Sequence, residues 1–310
     1  MRAWRTGAML VITTIVATLV GATLFAGGCA SRPREAFPEP AGPAPRLGEI
    51  AQAWNARTDA LDRLWARVVV VVDASGEKGK RTTEQGEGHL QVITPDRVAL
   101  SLGKNVAGTF FWLGSDATRY WWIDMLDEER KYALVGTHAN ATPERAAELG
   151  VPVHPLDLVE VLGILPMDAQ DGAAAQRSVA WDTEFGGYEV RGASRFGTKR
   201  IVVAPVTFEP RVIELLDASG EVVVRARHER FASVIRREGG GLPGSIATRL
   251  LIDLPTIDAR VTLTLSEAEN RGSRMPDAAF DLDGLLRRFR IDEVVDLDAE
   301  LVSADAGRGA

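Results

Sequence analysis

The histidines come closest to a set of residues that could bind a metal or transfer protons. The four are His89, His138, His154 and His228. None has a second histidine four residues further on, and the sequence has no HExxH or CxxC pattern of the kind that holds zinc. His89 and His228 fall at strand positions that we expect to face solvent. The sequence therefore predicts no metal site.

Patterns for nucleophilic or phosphate chemistry are also missing from the sequence. It contains no GxSxG, no P-loop and no GxGxxG. The glycine-rich stretches GGYEVRG and GGGLPG have the composition of turns. Because nothing brings together an acid, a base and a nucleophile, we expect a binding protein without a cofactor, and not an enzyme.

Cys29 is the residue with the clearest chemical context. It is the only cysteine, so no disulfide can form within the chain. Before it come Arg2 and Arg5, an apolar run from Ala8 to Ala26, and two glycines. This order is typical of a secretory signal peptide. An uncleaved anchor is the alternative, because the apolar run is nearly long enough to span a bilayer.

The stretch FAGGC resembles the bacterial lipobox, with Ala26 where leucine is usual. The resemblance implies a lipoprotein signal peptide over residues 1–28 and lipidation of Cys29 with acyl chains such as palmitate. Several acyl chains anchor a protein stably. Ala30, in place of an aspartate, implies the outer membrane, facing the periplasm. Residues 29–46 then form the lipidated cysteine and a tether, since residues 31–45 contain five prolines.

Periodicity predicts the elements of the folded part. Apolar residues at helical spacing predict a helix over 47–66. Period-two alternation and β-branched runs then predict about ten antiparallel strands. Two short helices, TPERAAELG from Thr142 and HPLDLVEVLGIL from His154, interrupt them. The fold class is mainly β (α+β): a curved antiparallel sheet or incomplete β-barrel, with an N-terminal helix and short lid helices over residues 47–283. Residues 284–310 form a charged tail.

An aromatic hairpin, FFWLGSDATRYWWID, holds six of the chain's twenty aromatic residues. We expect Trp112 opposite Tyr120 and Phe110 opposite Trp122, so that these four share one face. That face would line an apolar cavity, or else fill an ordinary core, and the pattern leaves both open. Alternation adds further candidates for the cavity wall, and the full set is Leu90, Val92, Val98, Leu100, Leu102, Phe110, Trp112, Tyr120 and Trp122.

Three stretches resemble the periplasmic lipoprotein-carrier family, which includes the Lol carrier and its outer-membrane receptor. They are EGHLQVITPDRVALSL, GSDATRYWWID and RMPDAAFDLD. The resemblance implies a half-barrel that binds a lipid or the acyl chains of a lipoprotein. Thr94 stands where the family's carrier has the arginine that holds its lid closed, so that lid mechanism does not transfer.

The resemblance leaves an alternative: an envelope sensor or assembly factor that uses the same sheet to bind a protein partner. A core filled without a cavity would favour this alternative. The net charge of −7 argues against nucleic acid as a partner, because phosphate binding requires a basic face.

Overall fold

The computed structural model describes residues 36–75, 80–104, 108–127, 129–141, 154–168, 179–195, 197–238 and 242–299. The predicted signal peptide, Cys29, the first part of the tether and the predicted helix at Thr142 lie outside these residues. The described residues belong to one compact unit that begins at Ala36.

Three α-helices occur in the described part of the chain. α1 spans Leu47–Thr58, α2 spans Pro155–Leu162 and α3 spans Leu282–Phe289. α1 is shorter than the predicted helix over 47–66, because a 3₁₀ turn at Asp59–Leu61 ends it and a strand begins at Arg63. Short 3₁₀ turns also occur at Pro255–Ile257, Gly272–Arg274 and Asp277–Ala279.

The strands form one sheet of fourteen. Their bounds are β1 Arg63–Ser75, β2 Arg81–Ile93, β3 Arg97–Lys104, β4 Gly108–Ser115, β5 Arg119–Asp124, β6 Tyr132–Thr137, β7 Ala180–Asp182, β8 Gly187–Ala193, β9 Thr198–Val203, β10 Pro210–Leu216, β11 Val222–Arg236, β12 Gly244–Leu254, β13 Ala259–Asn270 and β14 Glu293–Asp296.

The sheet order is β14-β6-β5-β4-β3-β2-β1-β13-β12-β11-β10-β9-β8-β7, so β14 and β7 are the edges. Neighbours are antiparallel except β14 and β6, which run parallel. The predicted curved antiparallel sheet is therefore confirmed, with more strands than expected. We call the face that α1 and α2 cover the concave face, and the opposite face the convex face.

Residues that were expected to be a tail instead complete the sheet and cover part of the convex face. β14 pairs with β6, and α3 packs on the convex side of the aromatic hairpin. α3 buries Leu282 and Leu285 and leaves Arg287 and Arg288 exposed, which is the amphipathic pattern of a helix on a surface. The charged composition that suggested a tail belongs to the solvent face of this helix.

The convex face of the other half of the sheet is charged. The strand register aligns one row across β8 to β13, and its members are Arg191, Arg200, Glu214, Arg225, Asp253 and Arg260. Arg200 donates to Glu189 at 2.7 Å and to Glu214 at 2.6 Å. Opposite charges on adjacent strands stabilise the pairing. Next to this row, Val202 and Val212 form a small buried cluster with Phe185 on the same face. The larger apolar surface of this half lies on the concave face.

Candidate functional site

The concave face is a continuous apolar surface built by the strand register. One row crosses β2 to β5 through Leu90, Leu100, Leu113 and Trp122. A corresponding row crosses the other half of the sheet through Val190, Ile201, Ile213, Ala226 and Ile252. Apart from Trp122, which packs against them, all of these residues are buried in one hydrophobic cluster.

Eight of the nine predicted cavity residues lie on the concave side, and Trp112 does not. The eight are Leu90, Val92, Val98, Leu100, Leu102, Phe110, Tyr120 and Trp122. Phe110 reaches this side next to Gly86 because a β-bulge shifts the register near Gly103. Whether these residues bind a ligand stays a prediction.

The predicted pairing of the aromatic hairpin is wrong. Tyr120 pairs with Ser115, and Trp122 pairs with Leu113. The turn is therefore tighter than predicted, and the pairing register differs from the predicted one by an odd number of residues. Such a shift exchanges the two faces of one strand relative to its partner. Trp112 consequently lies on the convex side with Trp121 and Ile123, against α3.

The convex half of the hairpin is ordinary core. The Trp112 ring lies 5.7 Å from the Phe289 ring of α3, and Trp121 is fully buried. The indole ring of Trp121 packs directly against Gly114, because a Cβ atom at that position would overlap the ring. The concave half holds Phe111 and Trp122, whose rings meet edge to face at 4.5 Å. The aromatic hairpin thus serves two different surfaces.

Two short helices fill the concave face. α1 contributes Ile50, Ala51 and Trp54, and α2 with the residues after it contributes Leu158, Val159, Val161, Leu162 and Ile164. Each helix directs its apolar stripe at the sheet, as the sequence periodicity predicts. The helices therefore occupy the space where an apolar ligand would lie.

Side chains from α1 and β11 hold the C-terminal end of α2. The last carbonyls of a helix have no partner within it. Here Arg57 donates to the Gly163 carbonyl at 2.6 Å, Trp54 Nε1 donates to the Leu165 carbonyl at 2.7 Å, and His228 Nε2 lies 2.8 Å from the Val161 carbonyl. The expectation that His228 faces solvent is therefore wrong. Burial lowers the pKa of His228 to about 4, so the ring is neutral at pH 7.

A second group of side chains, which we call the latch, holds the N-terminal end of α2. It consists of His154, Asp157 and Arg195. His154 Nδ1 accepts the cap hydrogen bond from the Leu156 N–H at 3.1 Å. Arg195 Nη1, from the β8–β9 turn, lies 3.1 Å from His154 Nε2, and Arg195 Nε lies 3.8 Å from Asp157. The latch thus joins α2 to the far half of the sheet.

The latch also touches the near half of the sheet through aromatic rings. The His154 ring lies 4.4 Å from that of Tyr120 and 5.4 Å from that of His138. One turn further along α2, Glu160 pairs with Lys199 of β9 at 3.3 Å. The N-terminal end of α2 therefore bridges β5 and the β8–β9 hairpin, which lie far apart in the order of the strands.

The latch holds His154 and Asp157 away from their usual pKa. Burial, with the charges of Arg195 and His138, lowers the pKa of His154 to about 2. Burial raises the pKa of Asp157 to about 7, with Glu160 adding to the rise and Arg195 opposing it. A neutral imidazole has a single acceptor nitrogen. His154 can therefore accept from either Leu156 or Arg195, but not from both at once.

Sequence reasoning missed the latch. His154 was assigned to a helix start, but Asp157 and Arg195 received no role. No local pattern links residues 154 and 195, which are 41 positions apart. The one available signal was a polar residue before Pro155 at a helix start, which indicates a cap.

A cleft of about 150 Å³ opens beside the C-terminal end of α2. Trp54, Leu165, Met167 and Ile201 supply apolar lining, while Glu160, Lys199 and Arg191 supply charge. Sites for small molecules usually measure about 300–1,000 Å³. This cleft is too small for an acyl chain while α2 remains in place.

A wider depression of about 470 Å³ lies on the convex face. It is open to solvent, and polar side chains such as Arg67, Glu87, His89 and Ser101 share its lining about equally with apolar groups. His89 is exposed there, as predicted, and its ring lies 5.2 Å from that of Trp65. Such an open surface of mixed polarity suits contact with a protein partner more than it suits an acyl chain.

Two further properties concern only the described residues. No group of three or more histidine, cysteine, aspartate or glutamate side chains there is placed to hold a metal ion. No helix in that part of the chain has the length and apolar character needed to cross a membrane.

No protein-family model matches this chain, and no curated protein matches it either. Among solved structures, it is similar to a DUF1329 family protein from Desulfovibrio piger, at 12% identity over 77% of this chain and 97% of that one, with a TM-score of 0.49. It is also similar to a LolA superfamily protein from Nitrosomonas europaea, at 14% identity over 77% and 99%, with a TM-score of 0.46. The family that the sequence resembles is thus represented among the similar structures.

Proposed function

We propose that this chain is a bacterial lipoprotein, anchored through Cys29, that binds an apolar ligand on the concave face of its half-barrel. The ligand is a lipid or the acyl chains of another lipoprotein, and the role is their transport or reception in the cell envelope. The anchor holds the protein at the outer membrane, facing the periplasm. The protein acts by binding and not by catalysis.

One observation carries this proposal: the concave face is apolar across both halves of the sheet. In a β-sandwich a second sheet would cover such a face, whereas here short helices cover it. α2 is only eight residues long. Side chains hold both of its ends, through the latch and through Arg57, Trp54 and His228. A cover of this kind can leave the sheet without breaking any strand pairing.

The free energies of apolar burial for α2 and for an acyl chain are of similar size. Moving one CH₂ group out of water contributes about 0.8 kcal/mol, so a chain of about fifteen CH₂ groups contributes roughly 12 kcal/mol. Fully burying one aliphatic side chain contributes about 1.5–3 kcal/mol. The apolar residues of α2, taken together, contribute an amount of the same order. The apolar contributions of an acyl chain and of α2 to the free energy therefore nearly balance, and the polar contacts at the ends of α2 set the cost of the exchange.

The test uses residues 36–310, which lack Cys29, purified under native conditions. Native mass spectrometry with organic extraction should reveal co-purified lipid, and a fluorescent fatty acid should bind with a stoichiometry of about one and be displaced by lipid. Trp122→Ala should weaken binding about tenfold, because it removes aromatic surface from the concave face.

Trp65→Ala is the matched control for Trp122→Ala. Trp65 is also partly exposed but lies on the convex side, with the Arg271 guanidinium 3.7 Å from its ring centroid. Its loss should leave fatty-acid binding unchanged. A lipid-free mass together with no probe binding would refute the apolar-ligand proposal.

A second candidate function is an envelope sensor or assembly factor that binds a protein partner. The observation that favours it is the filled concave face, where α1 and α2 leave a cleft of only about 150 Å³. The convex depression around His89 and Ser101 would then be the contact surface. Loss of partner capture in Ser101→Arg, with fatty-acid binding absent throughout, would support this function over the first.

A further inference from the structure

The chain enters the described structure at one corner of the sheet. The Phe37 N–H donates to the Thr183 carbonyl at 2.8 Å, and Trp181 Nε1 donates to the Phe37 carbonyl at 3.1 Å. The Phe37 ring lies against Gly186 and 5.9 Å from the Arg211 guanidinium. The N-terminal segment is therefore fixed to the β7–β8 turn, and the tether starts from that place.

Exposed apolar side chains gather at the same end of the sheet. Val206, in the β9–β10 turn, is 86% exposed, and Leu242, just before β12, is 77% exposed. Phe37 itself is 42% exposed. We call Phe37, Val206 and Leu242 the apolar corner. Single exposed apolar side chains are normal, but several on one surface often mark a place of interaction.

Hydrogen bonds join the three turns that carry the corner. Arg211 Nη1, at the start of β10, donates to the Phe185 carbonyl in the β7–β8 turn at 2.8 Å. Ser245, at the start of β12, donates to Glu209 of the β9–β10 turn at 2.9 Å. The three turns therefore form one connected surface.

The length of the tether limits how far the corner can be from a lipid on Cys29. Cys29 precedes Phe37 by eight residues. Whatever its conformation, such a segment spans at most about 29 Å. β11, with 15 residues, extends roughly 50 Å from this end of the sheet to the other. An anchor at Cys29 thus keeps this end of the sheet within about 29 Å of the bilayer, whereas the opposite end has no such limit of its own.

Charges around the corner are balanced. Three glutamates and three arginines lie in or beside these turns, and they are Glu184, Glu209, Arg211, Arg236, Arg237 and Glu238. No strong attraction to anionic head groups follows from such a mixture. The apolar tips are what distinguishes this surface, so contact with a bilayer should depend little on lipid charge.

We propose that the apolar corner is the surface that the anchored chain presents to the membrane, with Val206 and Leu242 inserted among the lipid head groups. This inference rests on the lipidation of Cys29 in the proposed function, and it does not depend on ligand binding. Two side chains bind a bilayer weakly by themselves. Once the anchor raises their effective concentration, they suffice to orient the domain.

Site-specific fluorescence tests the proposal on the full chain. A lipidated Cys29 cannot react with a maleimide, so a single introduced cysteine takes the only label. Val206→Cys and Leu242→Cys, labelled with an NBD maleimide, are compared in phosphatidylcholine vesicles. Leu126→Cys is the matched control, because Leu126 is 59% exposed in the β5–β6 turn at the opposite end of the sheet.

The NBD emission should rise several-fold at positions 206 and 242 and stay unchanged at 126. Val206→Glu should at least halve the rise at position 242, and adding anionic lipid should change it little. Vesicle-bound chain with the same emission at all three positions would overturn the docking while leaving the anchor intact. Chain that does not float with the vesicles would overturn both. Fatty-acid binding, measured separately, reports on the proposed function alone.

Discussion

His154 and Asp157 respond to pH in opposite directions, although they belong to the same latch. His154 has a pKa lowered to about 2, so its contribution to stability is full above its ordinary value near 6.5 and is lost as the pH falls towards 2. Asp157 has a pKa raised to about 7, so its contribution is full below 3.8 and is lost as the pH rises through 7. Between about pH 4.5 and 6 the two effects offset each other.

Removing one partner should expose the pH dependence of the other. In Asp157→Asn, the free energy of unfolding should fall more steeply from pH 6 to 4.5 than in the unmodified chain. In His154→Asn, which keeps a capping side chain, it should fall less steeply than in the unmodified chain. Each change in slope should be at most about 1.4 kcal/mol per pH unit.

Urea denaturation at several pH values measures these slopes. His228, which also titrates over this range, is common to all three chains and cancels in the comparison. Equal slopes in both variants and in the unmodified chain would show that neither group has the pKa assigned to it here.

Helix α2 depends on side chains outside it, because eight residues are too few for a helix to be stable alone. Arg57 is central to this support, since it reaches both the Gly163 carbonyl and the Ser245 carbonyl. Arg57→Met keeps most of the apolar stem but leaves two carbonyls without their donor. We expect a loss of about 2–4 kcal/mol in the free energy of unfolding.

Hydrogen exchange shows whether that loss is local. The amides of α2 should lose protection in Arg57→Met, while those of β1 and β13 should exchange as before. Arg46→Met serves as the control, because Arg46 pairs with Glu49 on the exposed end of α1 and does not contact α2. Uniform loss of protection across the sheet would contradict the view that α2 is a separable cover.

For the molecule as a whole, the filled concave face predicts slow, gated ligand uptake. If α2 must leave before a ligand binds, the observed binding rate levels off at high ligand concentration. Arg195→Gln, which weakens the latch, should raise that limiting rate several-fold. Arg260→Gln is the matched control, since Arg260 pairs with Asp253 in the charged row on the convex face.

Stopped-flow mixing with a fluorescent fatty acid measures this limit. A rate that keeps rising linearly with ligand concentration, at the same slope in all three chains, would mean that the ligand enters without movement of α2. In that case the route would be the cleft beside Ile201, and the latch would have only a structural role.

The sequence alone determined which segments are strands and which side of many of them is apolar. Alternation placed Leu90, Val92, Val98, Leu100 and Leu102 on one face correctly, because side chains on a strand point to alternate sides whatever the neighbouring strands do. The start of α2 was also readable, since a polar cap and Pro155 at the first turn act locally.

Only the tertiary structure decided the face of Trp112, the burial of His228 and the role of residues 284–299. The first depends on a hairpin register that the length of the turn sets. The second depends on a helix that arrives from another part of the chain and brings the Val161 carbonyl to the ring. Arg195 and His154 meet for the same reason: a curved sheet brings together strands that are distant in sequence, and no local pattern records that contact.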